Sequence, residues 1–426
     1  MTTQKDLCTF NERIAPANTP KPHFLDALAK SAVLQRLSTL HTGQLVLIDG
    51  ARQYRFGPTP RCGHESSPQA AIRIHDQRFY SEVAFGGSIG AAEAYMKNYW
   101  STAQLTELIR LFALNSSALD NVESGLAQLT APLQRVLHWL NQNTRKGSKK
   151  NITAHYDLGN EFFKLFLDDT MMYSSAIFAN EHMSLHQAQH HKLDVICRKL
   201  DLQPSDHVLE IGTGWGGFAL HAAANYHCKV TTTTISGEQY RLAEKRIQQA
   251  GLRDRITLLP LDYRDLSGQF DKLVSIEMIE AVGHRYYNEF FSKCASLLKP
   301  DGAMLLQAIT IADQRYELAK RTVDFIQRYI FPGSCIPSIT ALLTAATRAS
   351  DLRLTSLDDI GPHYAKTLKV WRDGFFANVE AVKQLGYSEE FIRMWEYYLC
   401  YCEGGFAERV ISDVHMTWVK PGNRLL

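Results

Sequence analysis

Glu210 stands two residues before a run with glycine at four of six positions, Gly212-Thr213-Gly214-Trp215-Gly216-Gly217. The apolar Val208 and Leu209 before it read as the end of a β-strand, and Phe218-Ala219 after it open a helical pattern. Strand, tight turn and helix N-terminus together form a cradle for a nucleotide-type cofactor. Glycine lets the main chain take left-handed angles and approach a ligand closely. The helix that follows aims free N–H groups and the positive end of its dipole at the same spot. The Glu210 carboxylate is placed to receive an ammonium group such as that of a methionine moiety. About twenty residues on, where a nicotinamide-binding chain carries an acid for the ribose, this chain has Thr231-Thr232-Thr233-Thr234-Ile235-Ser236 and no acid. S-adenosylmethionine (SAM) fits these residues better than a dinucleotide. A dinucleotide site and a ligand-free glycine turn stay open as alternatives.

Further candidates fall at the carboxyl ends of neighbouring strands, where open α/β sheets bind ligands. Thr234, Ser236 and Gln239 follow the second strand and suit a ribose. Asp262 and Tyr263 follow the third and suit an adenine ring, by a hydrogen bond and by stacking. Ser275-Ile276-Glu277-Met278-Ile279-Glu280 follows the fourth and faces the reacting methyl. Singly, each Thr, Ser or Asp reads as a cap or turn residue. Their joint placement on consecutive strand ends points to a site.

The elements that must position these residues follow from periodicity. Strands are predicted at 208–211, 230–235, 256–261, 272–276 and 303–310, with helices at 217–226, 238–250 and 284–298 between them. Such alternation gives a parallel sheet covered by helices on both faces. Helices around 313–330 and 362–404 follow, with late strands near 352–358 and 410–419 that suit an antiparallel hairpin at the sheet edge. Before all this, residues 1–22 read as a flexible arm and 23–143 as a smaller mixed α+β domain. That domain has a helix over 24–40, a hairpin over 43–56, a strand over 70–79 and helices at 91–100, 105–112 and 122–140. Arg145-Lys146-Gly147-Ser148-Lys149-Lys150 is either a solvated linker or a landing patch for anionic headgroups. We place this basic linker at 144–151 and the main domain at 152–426.

Composition bounds the function. The 426 residues are 45% hydrophobic and 21% charged, with net charge +2, which argues against bulk nucleic-acid binding. The eight cysteines are scattered without a CxxC pair, so neither a zinc site nor a disulfide framework is suggested, and a reducing cytoplasm is the expected location. No apolar run reaches the eighteen or so residues of a membrane span, so work on lipid would be done from the membrane surface.

Several ordered motifs resemble one family. They are His155-Tyr156-Asp157-Leu158-Gly159-Asn160-Glu161-Phe162-Phe163, Met172-Tyr173-Ser174-Ser175-Ala176-Ile177-Phe178, Glu210 to Ala219, and Thr234 to Gln239. Glu280-Ala281-Val282-Gly283, Tyr329-Ile330-Phe331-Pro332-Gly333 and Cys402-Glu403-Gly404-Gly405-Phe406 complete the set. Over about residues 150–420 the chain is similar to the cyclopropane fatty acid synthases and mycolic acid methyltransferases. The resemblance implies a Rossmann-like class I SAM-dependent methyltransferase, doubly wound and mostly parallel, with helical insertions forming a lipid pocket. It implies methyl or methylene transfer from SAM to the cis double bond of an unsaturated phospholipid acyl chain, giving a cyclopropane. The carbocation on the way needs a dry pocket, electron-rich ring faces and a base, and in this family a bound bicarbonate is thought to be that base.

Carried over by motif, Glu280, Ile309 through its backbone and Tyr364 match the bicarbonate shell. Tyr173, Ser174, Gly212, Gly214, Gly216, Thr234, Ser236, Gln239, Tyr263 and Arg264 match SAM contacts. Two positions depart: Ser175 stands where the synthases carry Cys, and Gln307 where they carry His. Both side chains can hydrogen-bond an oxyanion, but Gln neither titrates nor carries charge. Bicarbonate is then bound differently, or another base collects the proton. If the proton leaves elsewhere, or the cation is reduced, the product is a C-methylated branched chain. Cys402 matches a cysteine that family descriptions mark as active, yet a thiolate has no task in attacking an alkene, which favours a structural role. Arg315, Lys320, Arg321 and Arg328 are candidates for phosphate headgroups. Expected partners are unsaturated phospholipid acyl chains at the inner membrane face and a second copy in a homodimer, with no nucleic acid. A SAM-binding lipid carrier and a methyltransferase for a small soluble acceptor are the rival readings.

Overall fold

The computed structural model describes residues 24–58, 67–116 and 158–424. The arm, the helix expected at 122–140, the basic linker and the His155-Tyr156-Asp157 end of the first motif lie outside them.

In the first part, α1 (Phe24–Leu37) precedes the hairpin of β1 (Gln44–Asp49) and β2 (Arg52–Phe56), which turns at Gly50. β3 (Gln69–Ile74) lies parallel to β1 and antiparallel to the short β4 (Trp100–Ser101), in the order β2-β1-β3-β4. Between β3 and β4 runs α2 (Arg78–Met96), and α3 (Leu105–Leu114) follows. The predicted strand over 70–79 therefore ends early. Its inward alternation covers only Ala70, Ile72 and Ile74, after which Asp76 accepts from Arg78 and the chain turns into a helix that buries Phe79 and Tyr80 together. The helix expected at 91–100 is the last part of α2, and α2 breaks at Gly87.

The second part begins with α4 (Asn160–Phe163) and α5 (Leu185–Lys199), the latter closed by a Ser184–Gln187 capping box. Then come β5 (His207–Ile211), α6 (Gly217–Asn225), β6 (Lys229–Thr233), α7 (Gly237–Gln249), β7 (Ile256–Leu259), β8 (Phe270–Ile276), α8 (Tyr287–Leu297) and β9 (Leu298–Ile311). After α9 (Asp313–Ala319) and α10 (Ile339–Ala349) the order is β10 (Arg353–Asp359), α11 (Gly361–Ala377), α12 (Val379–Gln384), α13 (Glu389–Ala407) and β11 (Ile411–Val419). The seven strands lie in the order β10-β11-β9-β8-β5-β6-β7, with β5 to β9 parallel. This is the predicted doubly wound α/β sheet. The chain winds outward from β5 through β6 to β7, then returns to build β8 and β9 on the other side. A crevice opens where the winding reverses, at the carboxyl ends of β5 and β8.

The late strands correct the sequence reading. β10 and β11 are antiparallel but do not form a hairpin, because α11, α12 and α13 intervene and β11 lies between β10 and β9. Burial explains the order. Every residue from Asp413 to Val419 is buried, which an edge strand cannot achieve, whereas β10 alternates towards solvent. The stretch expected as one helix over 313–330 is α9 followed by a single wide turn at Ile326–Ile330.

The two parts meet on α13. Arg393 donates to the carbonyls of Tyr95 (2.6 Å) and Trp100 (3.0 Å), and the Tyr95 hydroxyl donates to Glu396 (2.7 Å). At Gly404 a Cβ would sit 2.7 Å from Ile109 Cγ2 and 3.3 Å from the Arg110 nitrogen. Gly404→Val is therefore expected to destabilise the protein by about 1–3 kcal/mol through overpacking of α13 against α3. Urea denaturation measures this, and an unchanged midpoint would mean that the two helices do not depend on that contact.

Candidate functional site

The glycine run leaves β5 where the crevice opens. Gly212 (φ 95°), Gly214 (φ 53°) and Gly216 (φ 90°) hold left-handed angles, and α6 starts at Gly217. At Gly212 the close approach is real, since a Cβ there would lie 3.2 Å from Met278 Cγ. A cavity of about 460 Å³ runs from this turn across the strand ends to the inner faces of α11 and α13. Ser88 of α2 also lines it, one residue past the break at Gly87, so the first part of the chain contributes to the wall.

On the cradle side the cavity meets Tyr173, Ser174, Glu210, Gly212, Gly214, Thr234, Gln239, Asp262, Tyr263 and Arg264. Glu210 is buried and accepts from the Thr232 hydroxyl at 2.5 Å. Burial pushes its carboxyl up to about 7 despite that bond. Thr234 donates to Gln239 Oε1 at 2.9 Å. Asp262 is clamped by Arg264, through Nη2 at 2.7 Å and Nε at 2.8 Å. The Lys192 ammonium, wholly buried on α5, donates to Ser174 Oγ at 2.7 Å. Two predicted cofactor residues do not line the cavity: Gly216 shapes the turn behind it, and Ser236 caps α7 by accepting from the Gln239 N–H at 3.3 Å.

On the far side the chemistry centres on carboxylates. Glu280 accepts from the Ile309 N–H at 2.6 Å through Oε1, and its Oε2 is buried with no hydrogen-bond partner. Burial, then the charge of Glu277, pushes its carboxyl up to about 8. Glu277 is half-buried, and the cavity reaches it. Its Oε1 accepts from the Ser175 N–H (2.8 Å) and from Gln307 Nε2 (2.7 Å), and its Oε2 from the Tyr364 hydroxyl (2.7 Å).

The Gln307 amide is fixed from behind. Its Nε2 also donates to Asp413 Oδ2 (2.7 Å), and its Oε1 lies 3.1 Å from His415 Nε2. Burial holds His415 well below its usual range, hence neutral. Lys199 Nζ stands 3.2 Å from its Nδ1 and can only donate, so the ring proton sits on Nε2 and points at Gln307. Burial and the neighbouring Glu277 charge hold the Asp413 carboxyl well above its usual range.

The residues assigned to bicarbonate by the motifs thus do not enclose a free anion site. Ser175 and Gln307 are fully buried and off the cavity. Ser175 offers Glu277 its N–H while its hydroxyl donates to the Ala176 carbonyl at 3.0 Å. Tyr364 spends its hydroxyl on Glu277, and the Ile309 N–H is spent on Glu280. The donor set does not fit a bound bicarbonate. Cys402 does line the cavity, with burial pushing its thiol far up, so the thiol is neutral in the cavity wall. Of the four basic residues after β9, Arg315 lines the cavity and donates to Ser116, Lys320 and Arg321 pair with the exposed Glu317, and Arg328 pairs with Glu93.

The sequence profile of the mycolic acid cyclopropane synthetase family matches residues 143–416. The chain belongs to this family. Among relatives of this synthetase-family chain, the tuberculostearic acid methyltransferase UfaA1 of Mycobacterium tuberculosis is 34% identical over 96% of this chain and 95% of its own. The cyclopropane-fatty-acyl-phospholipid synthase of Escherichia coli K12 is 37% identical over 81% of this chain and 87% of its own. The structure of the mycolic acid cyclopropane synthase CmaA1, solved with S-adenosylhomocysteine and CTAB, is 33% identical with a TM-score of 0.60, covering 64% of this chain and 98% of that one. This member of the synthetase family is a SAM-dependent methyltransferase of the class I fold. Among the described residues, no helix is long and apolar enough to cross a membrane.

Proposed function

We propose that the enzyme transfers a methyl group from SAM to the cis double bond of an unsaturated phospholipid acyl chain, and that loss of a proton from the added methyl closes a cyclopropane ring. The observation carrying this reading is a continuous cavity that joins the glycine cradle to a far wall rich in apolar and aromatic side chains. In this reading Glu210, the Gly212–Gly214 main chain, Thr234, Gln239 and Tyr263 hold SAM, which supplies a methyl carried on a sulfonium. Ser236 and Gly216 support that cradle without touching the cofactor.

An alkene is a weak nucleophile, and the cation it leaves survives only where water is excluded and π-faces are near. Tyr364 stacks on Phe406 with ring centroids 4.3 Å apart, and both line the cavity with Phe331 and Tyr398. The membrane-surface assignment is supported by Leu318 and Leu261, two exposed leucines on the cavity wall, with Arg315 beside Leu318. Residues 24–116 serve in lipid positioning, since Ser88 lines the cavity and Glu93 accepts from Tyr329 at 2.5 Å. The near full-length match to UfaA1 favours a second reading, in which the chain is C-methylated without ring closure.

The test is mass spectrometry of fatty acid methyl esters from vesicles of cis-monounsaturated phospholipid incubated with enzyme and methyl-deuterated SAM. A product heavier by CD2, with the alkene gone and a ring visible by NMR, is expected. Three retained deuteriums in a branched chain would establish the second reading. No label in lipid would overturn both.

A further inference from the structure

We propose that Glu277 is the proton acceptor of the reaction, a carboxylate built into the chain at the point where the Ser175, Gln307 and Tyr364 donors converge. The inference rests on the cation of the proposed function and holds for either product.

Three observations carry it. The first is convergence. Donors from three separate stretches of chain converge on one carboxylate that the cavity reaches: the Ser175 N–H at 2.8 Å, Gln307 Nε2 at 2.7 Å and the Tyr364 hydroxyl at 2.7 Å, with the Gln307 amide set by His415 and Lys199. Burial raises the Glu277 carboxyl above its usual range, while the three donors and the positive field of the buried Lys192 work against that and favour its charged form. The second is the contrast with its neighbours. Glu280 has one donor and is pushed up to about 8, so it is neutral near pH 7, and Asp413 is held neutral beside Glu277. Of the three carboxylates, Glu277 is the one with three donors turned towards it. The third is strain. Glu277 has φ 47°, a left-handed angle that is unfavourable for a non-glycine residue and persists where the surroundings impose it.

The step balances. The alkene π pair forms the new C–C bond to the methyl carbon while the S–C bond breaks and leaves a neutral thioether. For the ring, the resulting cation loses a proton from the added methyl, one carbon removed from its centre, and that C–H pair becomes the closing C–C bond. For the open chain it loses a proton from a carbon adjacent to the centre, and that pair becomes a C=C bond. In either case the proton goes to a Glu277 oxygen. It returns to water when product leaves.

Glu277→Gly tests this, because glycine accepts the left-handed angle and leaves the three donors facing a carboxylate-sized gap. In CO2-stripped buffer, wild type is expected to turn over at full rate and to ignore added bicarbonate. The variant is expected to lose about 100-fold or more of the rate, to keep its SAM affinity in calorimetry, and to regain rate with added formate or bicarbonate. Wild type that needs bicarbonate overturns the proposal, as does a variant that keeps its rate. Loss of rate with no rescue by either anion also overturns it and assigns Glu277 a purely structural role. Wild type that labels no lipid under any condition overturns instead the parent reading, and this proposal falls with it.

Discussion

Glu210→Gln is expected to weaken SAM binding by about 100-fold at pH 7.5, on the order of 3 kcal/mol, and to erase its pH dependence. Glu210 is the penultimate residue of β5, beside the cradle and 2% exposed, with its carboxyl pushed up to about 7 by burial. An ammonium group binds the ionised form, so at lower pH part of the binding energy is spent on removing a proton. For wild type, affinity should rise about tenfold per pH unit up to about 7 and then level off. Glutamine still accepts the Thr232 hydroxyl, so the fold has no reason to change. Calorimetry between pH 5 and 7.5 reads both quantities. A variant whose affinity matches wild type, or a wild-type curve flat across that range, would remove Glu210 from the cofactor site.

The α/β core was legible because each of its signals is local. A buried parallel strand is a short apolar run, a turn needs glycine, and the alternation of strand and helix repeats. The reading failed where tertiary contacts outvoted local pattern. The β10–β11 pair looks like a hairpin from its period, but the choice of which strand lies inside is made by β9 and three intervening helices. α5 and α10 were missed altogether. Yet α5 carries a sequence-level signature in Ser184 and Gln187, and its buried Lys192 among Ala188, Leu193 and Ile196 was a readable oddity on an apolar face.

The cofactor side of the site was equally local, since the carboxyl ends of consecutive parallel strands are neighbours by construction. Of the two predicted residues that do not line the cavity, Ser236 had a visible rival reading, because Ser236 and Gln239 have cap-box spacing. The carboxylate side was not legible. Glu277 lies in a stretch placed beside the reacting methyl, but its partners Ser175, Gln307 and Tyr364 are 102, 30 and 87 residues away. Nothing in spacing announces that they meet. The motif match singled out Ser175, Gln307 and Tyr364, and the structure brings all three to Glu277. Asp413 and His415 gave one faint sign, as polar residues alternating within a strand otherwise fit for burial.

Glu280→Gln is expected to cost most of the turnover and yet to stabilise the fold at neutral pH. Glu280 is buried on the cavity wall with one carboxyl oxygen unpartnered, and its carboxyl is pushed from 4.5 to about 8. Below 4.5 the group is neutral in folded and unfolded chains alike and contributes no pH dependence. Between 4.5 and about 8 the unfolded chain ionises while the folded chain must keep its proton, so stability falls as pH rises. At pH 7 the penalty is on the order of 3 kcal/mol. Glutamine cannot ionise, and its oxygen still accepts the Ile309 N–H. The stability gap between variant and wild type should therefore open with pH, from nothing near pH 4.5 to its full size near pH 8, in denaturant titrations on the ligand-free protein. Turnover moves the other way. A sulfonium or carbocation arriving beside Glu280 favours its ionised form, which places a negative charge where positive charge develops, and glutamine cannot supply it. A fall in rate of about 100-fold is expected. A variant less stable than wild type at every pH would show that Glu280 holds the fold together, and one as active as wild type would show that the cavity's charge comes from Glu277 alone.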